Sequence, residues 1–220
     1  YRHGDDLRRV HWKSTARRGE MMVRTDEQPR QMRATVLLDS RQAGHRGEGP
    51  ASSLEWAISM AASVGVHLCT NRYAVRLLHD GAPAEWTPVE GVDGAASLLD
   101  DLAVLAPAPD GALQEALASL ARSDGDGLIV AVLGEITEHE ALTLARLGRQ
   151  GSHGIAVLLA TTAWANLPLA RAAVLDKERA TVQAILANGG WAVAEATPQL
   201  TVPQAWDAAS GRHNAKSLIR

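Results

Sequence analysis

The chain has 220 residues, of which 46% are hydrophobic and 21% charged, which is enough sequence for one sizeable hydrophobic core. Its net charge of −3 gives no overall basic excess, so we expect no nucleic-acid partner. Its one cysteine, Cys69, excludes an intrachain disulfide and a zinc site made of cysteines.

Charge is unevenly distributed along the chain. Residues 1–33 carry nine basic and five acidic side chains, a net of +4, whereas residues 34–210 carry ten and twenty, a net of −10. The last ten residues add +3. We therefore predict a basic arm over residues 1–32, an acidic α/β domain over residues 33–210 and a basic tail over residues 211–220.

The arm contains signals for one helix and one strand. Asp5 can cap a helix that begins at Asp6 and ends near Arg17, and Gly19 follows that helix as a stop signal. A strand is predicted over residues 20–27. The arm therefore ends in an extended segment that leads into the acidic domain.

Trp12 lies on the predicted arm helix, close in sequence to Leu7, Val10 and Met22. A basic helix with one tryptophan could bind nucleic acid, but five acidic residues offset much of the positive charge of the arm. An exposed indole is costly. We therefore expect the helix to pack on the sheet domain, on a segment that precedes it or on a protein partner.

The acidic domain alternates apolar runs of strand length with amphipathic stretches of helix length. Strands are predicted at residues 34–38, 73–78, 85–89, 128–133, 155–160 and 191–196. Helices are predicted at residues 52–69, 95–105, 112–122, 137–149, 177–187 and 204–209. Two of them begin at pairs with capping-box spacing, Ser52 with Glu55 and Thr137 with Glu140.

This alternation predicts an α/β fold of the doubly wound or Rossmann-like kind, with helices on both faces of a mostly parallel six-stranded sheet. The third strand, over residues 85–89, contains Pro88 and follows the second like a hairpin. We predict that it is the one antiparallel edge strand. A binding crevice is expected at the carboxyl ends of the strands that flank the switch point of the sheet.

Residues 154–170 contain no charged side chain and approach the length of a transmembrane helix. Only residues 155–160 are densely apolar, however, and threonine, asparagine and proline interrupt the rest. The segment is therefore predicted to be a buried strand followed by a loop.

The sequence contains no nucleotide-binding or hydrolase motif. A Gly-x-Gly-x-x-Gly fingerprint, a Gly-Lys-Ser/Thr loop and a Gly-x-Ser-x-Gly elbow are all absent. Ser40 follows the first strand without an identifiable histidine partner, and Cys69, at the end of an amphipathic helix, is typical of a small buried hydrophobe. We predict no catalytic residues and no cofactor, and a hydrolase ranks third among the possible functions.

Two acidic residues, Asp39 and Glu135, each stand just past the carboxyl end of a predicted central strand. The fold should bring them to the same rim, where carboxylates and hydroxyls could hold a hard cation such as magnesium. The alternative, which we favour, is that these acids cap nearby helix N-termini.

The start of the chain matches a longer pattern, Tyr-x-Pro-Gly-Asp-Asp-x-Arg-x-Ile-x-Trp-Lys-x-Ser/Thr-Ala-Arg. His3 replaces the proline of this pattern and Val10 its isoleucine. The residues identical to the pattern are Tyr1, Gly4, Asp5, Asp6, Arg8, Trp12, Lys13, Ala16 and Arg17. This stretch resembles the signature of the bacterial domain-of-unknown-function 58 (DUF58) family.

The resemblance implies an architecture and a partner. Members of that family follow the signature with a von Willebrand factor A-like sheet whose first strand ends in Asp. They usually carry transmembrane helices and a β-rich segment before the signature, are thought to work with a MoxR-type AAA+ ATPase, and have no established enzymatic reaction. Because this sequence does not begin with Met, we expect it to be part of a longer protein. Together with the resemblance, this implies the soluble part of a protein anchored at the cytoplasmic face of the cell membrane.

A metal-binding von Willebrand-type domain has Asp-x-Ser-x-Ser after its first strand. Here those positions hold Asp39, Arg41 and Ala43, so a charged guanidinium stands where a hydroxyl ligand would lie. We expect Arg41 to pair with a carboxylate and magnesium or calcium to bind weakly or not at all. The sequence therefore predicts a protein-interaction module that recognises its partner through charge at the rim. A metal-dependent adhesion-type domain that uses Asp39 and Glu135 is the alternative.

Overall fold

The computed structural model of the chain describes residues 32–79, 88–122, 127–149 and 153–217. The predicted arm helix and arm strand lie outside these ranges, as do the residues of the family signature. Nearly all of the described residues belong to the predicted acidic α/β domain.

Five parallel strands form the sheet in this part of the chain. Their order across the sheet is β2-β1-β3-β4-β5. The strands are β1 (Arg33–Leu38), β2 (Ala74–His79), β3 (Leu128–Leu133), β4 (His153–Leu159) and β5 (Ala192–Ala196). β3, with the sequence LIVAVL, is apolar at every position because both faces of a parallel sheet are covered.

Six helices in the described ranges cover both faces of the sheet, five of them between strands and one after the last strand. Helices α1, α2 and α6 pack on one face, and α3, α4 and α5 pack on the other. Their bounds are α1 (Ser53–Thr70), α2 (Gly91–Ala103), α3 (Ala112–Arg122), α4 (Glu138–Arg149), α5 (Leu169–Asn188) and α6 (Val202–Ser217). The predicted α/β class with a mostly parallel sheet is confirmed.

The prediction of six strands with an antiparallel edge was wrong, because the described sheet has five strands and all of them are parallel. Pro88 and Val89 are the part of the predicted third strand that is described, and Val89 forms one isolated antiparallel bridge with Val75. Their backbone amides and carbonyls exchange hydrogen bonds of 2.8 and 2.9 Å. Pro88, the preceding residue, has no N–H with which to extend the ladder.

Two helices are longer than predicted. α5 begins at Leu169 rather than near Lys177, immediately after Pro168 at the N-cap position. Alanine, leucine and arginine dominate the added turns, and all three favour helix. α6 continues past the predicted end at Ala209 to Ser217, into the predicted basic tail.

The uncharged stretch at residues 154–170 consists of most of β4, a short 3₁₀ turn (Thr161–Trp164) and the start of α5. A strand followed by irregular chain was therefore the correct prediction for this segment. No helix in the described ranges is long and apolar enough to cross a membrane.

Candidate functional site

The switch point of the sheet lies between β1 and β3, because the chain runs from β1 to one side of the sheet and then returns to the other. The loop after β1 folds across this point. The amide of Asp39 donates to the carbonyl of Val132 (3.0 Å), and the amide of Glu135 donates to the carbonyl of Gly44 (2.8 Å). The crevice that binds ligands in many α/β proteins is thus filled by the protein's own loop.

Two glycines permit this close approach. A Cβ at Gly134 would collide with the carbonyl oxygen of Gly44, and a Cβ at Gly44 would lie 2.9 Å from Oδ2 of Asp39. Neither position requires a left-handed backbone, so the reason for glycine at both is space rather than conformation.

Arg41 binds Asp39 through two parallel hydrogen bonds. Its Nε donates to Oδ1 and its Nη2 donates to Oδ2, each at 2.9 Å, and its backbone amide also donates to Oδ1 at 3.2 Å. Asp39 is fully buried and Arg41 is 8% exposed. The guanidinium therefore supplies both the positive charge and the geometry that a buried carboxylate needs.

Arg41 also reaches the loop between β3 and α4. Its Nη1 donates to Oε1 of Glu140 at 3.2 Å, and its Nη2 donates to the backbone carbonyl of Glu135 at 3.1 Å. Glu140 is buried, and its Oε1 accepts a second hydrogen bond from the side-chain amide of Gln114 at 2.9 Å. The Arg41 guanidinium thus connects the buried carboxylate of Asp39, which follows β1, with the buried carboxylate of Glu140 in α4.

The second oxygen of Glu140 caps α4. Its Oε2 accepts from the backbone amide of Thr137 at 2.7 Å, and the hydroxyl of Thr137 accepts from the amide of Glu140 at 3.3 Å. This is the reciprocal pairing that the spacing of the two residues predicted. On α1 the hydroxyl of Ser52 accepts from the amide of Glu55 at 3.2 Å.

Glu135 is bound by a different arginine. Nε and Nη2 of Arg46 donate to its two carboxylate oxygens, each at 2.9 Å, and the hydroxyl of Thr161 donates to Oε1 at 2.7 Å. The hydrogen bond to Glu135 raises the pKa of Arg46 above its usual value. This pair is partly exposed, with side-chain exposures of 31% for Arg46 and 23% for Glu135.

His45 ties the loop to the start of α1. Its Nε2 lies 2.7 Å from the carbonyl of Asp39, and its Nδ1 lies 3.0 Å from the hydroxyl of Ser53. Because a carbonyl can only accept, Nε2 carries the proton, and Nδ1 accepts from the Ser53 hydroxyl. Burial lowers the pKa of His45 and so favours the neutral ring. Both residues are buried, which makes this serine–histidine pair a structural tie rather than a site that faces substrate.

The residues at the rim do not fit a magnesium site. Both oxygens of Asp39 and both oxygens of Glu135 accept hydrogen bonds from arginine, so positively charged side chains already occupy the sites where a cation would bind these carboxylates. In the described ranges no group of three or more His, Cys, Asp or Glu residues could hold a metal ion. The arrangement is a network of ion pairs in which Arg41 binds Asp39 and Glu140, and Arg46 binds Glu135.

The structure places Asp39 and Glu135 at the same edge of the sheet, as the sequence indicated, but with separate arginines. The expectation that these acids cap helices was wrong, since Ser52 caps α1 and the Thr137–Glu140 pair caps α4. Sequence reasoning missed Arg46 and His45 altogether. Their only local signal was their position in the loop after β1.

Comparison with known families gives one match. The model of the family described as protein of unknown function DUF58 matches residues 1–188. The matched range includes the signature at the start of the chain and every residue of the ion-pair network at the rim. A search of curated proteins finds no match.

Proposed function

We propose, from the premise that the chain belongs to the DUF58 family of proteins of unknown function, that residues 33–210 are a protein-interaction module without enzymatic activity. The module has a von Willebrand factor A-like fold and serves as an adaptor for a MoxR-type AAA+ ATPase. In the full-length protein, helices that precede this chain anchor it at the cytoplasmic face of the cell membrane.

The filled switch point is the observation that carries the proposal. Asp39, Arg41 and Gly44 occupy the place where an open α/β sheet usually holds a small ligand. Because the domain's own buried ion pair closes this crevice, the outer surface is the part of the domain that remains for recognition of a partner. A von Willebrand A-like assignment is supported by the first strand, which lies in the interior of the sheet and is followed directly by Asp39, and by the helices on both faces.

The outer surface of this edge has the composition of an interface. Arg46 and Glu135 form a partly exposed ion pair, and Thr161 joins them to the 3₁₀ turn that contains Trp164. Trp164 makes an edge-to-face contact with Trp56, with ring centroids 6.4 Å apart, and both rings are partly exposed. Tryptophan and arginine are the residue types most enriched among those that dominate binding energy.

The proposal is tested by measuring the affinity of the purified chain for the MoxR-type ATPase of the same organism by calorimetry. We expect a complex that weakens as salt concentration rises, because the contact surface is charged. Arg46→Ala should weaken binding by about tenfold, the loss expected when one charged interface contact is removed.

The matched control is Arg146→Ala, an exposed arginine on α4 away from the loop after β1. It should leave the affinity unchanged. Failure of the wild-type chain to bind the ATPase contradicts the adaptor function, and equal losses for the two variants contradict the choice of surface.

The metal-dependent alternative would use Asp39 and Glu135 as ligands. It requires both arginines to leave their carboxylates before a cation could enter, and Asp39 is fully buried. Nothing in the described structure favours it over the interaction module.

A further inference from the structure

We propose that an exposed side of helix α2 is a docking face for a basic amphipathic helix of the partner protein. The inference rests on the proposed interaction function and adds the chemistry of the segment that the partner supplies. We call this surface the α2 face, and its residues are Val92, Ala96, Leu99, Ala103 and Val104.

The α2 face carries apolar side chains that the fold leaves uncovered. Its four helical residues recur every three or four positions, so they form one stripe along α2. Val92 is 77% exposed, Leu99 is 43% exposed, and Val104, directly after the helix, is 82% exposed. The helix packs in the core through a different stripe, which consists of Ala95, Leu98 and Leu102. α2 therefore has one apolar stripe that stabilises the fold and a second that the fold does not use.

The sequence that forms the α2 face and continues into α3 is entirely acidic. Residues 88–121 contain six acidic side chains and no lysine, arginine or histidine. Asp93 and Asp100 are exposed and seven positions apart, so they form a row beside the apolar stripe. No cation of the described ranges forms an ion pair with Asp93, Asp100 or Asp101. These carboxylates are available to the lysine or arginine side chains of a partner.

Two of these acids stand where they weaken the helix. Asp100 and Asp101 lie in the last turn of α2, and no basic residue lies in that turn. The last carbonyl groups of a helix carry partial negative charge, so carboxylates near them are unfavourable and cations are favourable. The C-terminal end of α2 therefore lacks the positive charge that a basic partner would supply.

Charge decides which occupant fits the α2 face. A second copy of this chain would place its own acids against these acids, and the anionic headgroups of a membrane would repel them. A partner helix with apolar residues on one side and lysine or arginine beside them would bury the stripe and neutralise the acids. The 13 residues of α2 span about 20 Å, which is enough for several turns of such a helix.

α2 carries this face to the rim of the sheet. Val89, just before the helix, forms a bridge with Val75 near the amino end of β2. Ala108, after the helix, forms a bridge with Arg41 just beyond the carboxyl end of β1. The helix therefore runs toward the carboxyl edge of the sheet, and the end of the α2 face is joined to the loop after β1.

The experiment uses a designed peptide as the probe. The peptide has about 21 residues, long enough to form helix, with leucine at two positions of each heptad and lysine beside them. It is titrated into the ¹⁵N-labelled chain, and amide chemical shifts are followed by NMR. We expect shifts confined to residues 89–109 and a dissociation constant of about 50 μM. Two control peptides, one with glutamate for lysine and one with alanine for leucine, should each bind at least about tenfold more weakly.

Substitutions in the stripe test the apolar contact. Leu99→Gln should weaken binding of the lysine peptide by about tenfold. Leu142→Gln is the matched control, because Leu142 on α4 is 44% exposed, and it should leave the affinity unchanged. Val92→Gln, at a more exposed position, should also weaken binding while the melting temperature of the free chain stays the same.

A substitution in the last turn of α2 tests the charge. Asp100→Asn should weaken binding by about threefold, yet raise the melting temperature of the free chain by about 1–3 °C, because it removes a carboxylate from the helix C-terminus. Asp207→Asn, at an exposed position of α6, is the control and should leave the affinity unchanged.

Three results would overturn the inference. The first is equal affinity for the lysine and glutamate peptides, or shifts that lie away from residues 89–109. The second is dimerisation of the wild-type chain that Leu99→Gln abolishes, because the occupant would then be a second copy. The third is binding to phosphatidylglycerol vesicles that the same variant abolishes, because the occupant would then be a membrane.

The complex with the ATPase separates this inference from the proposed function. Leu99→Gln should weaken that complex while Leu142→Gln leaves it intact. A complex whose affinity is the same for both variants contradicts the inference about the α2 face and leaves the adaptor function standing. No complex with the wild-type chain contradicts the adaptor function, whatever the peptides show.

Discussion

Arg41 is a buried cation that belongs to the fold. Its guanidinium satisfies both oxygens of Asp39 and one oxygen of Glu140, so two buried carboxylates depend on it. The chain thus supplies the positive charge at this position itself, with the planar two-point geometry that carboxylates favour.

Replacing Arg41 with methionine should destabilise the domain by about 3–5 kcal/mol, because it leaves buried carboxylates without their cation. The free energy of unfolding in urea measures this loss. Arg146→Met, on the exposed face of α4, is the control and should stay within about 0.5 kcal/mol of wild type. The double variant Arg41→Met/Asp39→Asn should lose less than the sum of its single changes, since the two residues are in contact.

His45 should make the stability of the domain depend on pH. Burial lowers its pKa from the ordinary value of 6.5, while the Asp39 carbonyl, Asp39 and Glu135 act in the opposite direction and Arg41 adds to the lowering. The neutral ring is thus preferred in the folded state, and the unfolded chain binds a proton more readily. The stabilisation is complete above pH 6.5 and is lost as pH falls through the lower folded value.

Urea unfolding between pH 5 and pH 8 measures this dependence. We expect the free energy of unfolding to fall less on acidification for His45→Gln than for wild type. His139→Gln, at an exposed position on α4, should follow the wild-type curve. Parallel curves for wild type and His45→Gln would contradict the assignment of His45 as a buried neutral ring.

The N-terminus of α4 and the loop after β1 are joined through Glu140. One of its oxygens caps the helix at Thr137, and the other binds Arg41. The helix cap and the buried ion pair therefore share a single carboxylate. A change at Glu140 should affect both, whereas a change at Thr137 removes the cap and one hydroxyl donor to Glu140 but leaves the contact with Arg41.

Thr137→Ala should cost about 1 kcal/mol, the usual value of an N-cap, and Glu140→Ala should cost about 3–5 kcal/mol because it also removes a buried partner of Arg41. Urea unfolding measures both losses. Thr143→Ala, on the same helix, removes only a hydroxyl bond to the carbonyl of His139 and should be close to neutral. Equal losses for Thr137→Ala and Glu140→Ala would show that the link to Arg41 contributes nothing.

The crossing of the loop over β3 depends on the absence of a side chain at Gly134. Gly134→Ala should destabilise the domain by more than about 3 kcal/mol, because its Cβ would collide with backbone that cannot move independently of the sheet. Gly211 lies at an exposed position of α6, and nothing lies within 4 Å of the carbon that alanine would add. Gly211→Ala should therefore stabilise the domain by about 0.5–1 kcal/mol. In thermal unfolding, the melting temperature should be lower than that of wild type for Gly134→Ala and higher for Gly211→Ala.

In the described part of the carboxyl edge of the sheet, Asp39 and Glu135 both form ion pairs with arginine, which bears on the response of the domain to cations. Magnesium, manganese and calcium should leave the melting temperature unchanged, because the acids of the rim already have arginine partners. Thermal melts with each cation and with EDTA test this expectation. A cation-dependent rise that Glu135→Gln removes would instead assign the domain to the metal-dependent class.

The order of strands and helices along the chain followed from its sequence, because the periodicity of apolar residues is a local signal. β3 and β4 were predicted as buried parallel strands from uninterrupted apolar runs, and both are. The capping pairs that open α1 and α4 were equally local. The placement of Asp39 and Glu135 at one edge followed from the parallel direction of their strands.

Arg41 and Asp39 are two positions apart, so their pairing is local, but the remaining ion pairs of the rim were decided by the tertiary structure. Arg41 meets Glu140 across 99 positions and Arg46 meets Glu135 across 89, and both contacts depend on how the loop after β1 folds over β3. The tertiary structure also decided the edge of the sheet. In the described part of the chain, Val89 forms a bridge with Val75 but belongs to no further strand. Contacts between distant segments form only after the sheet has assembled, so no short stretch of sequence encodes them.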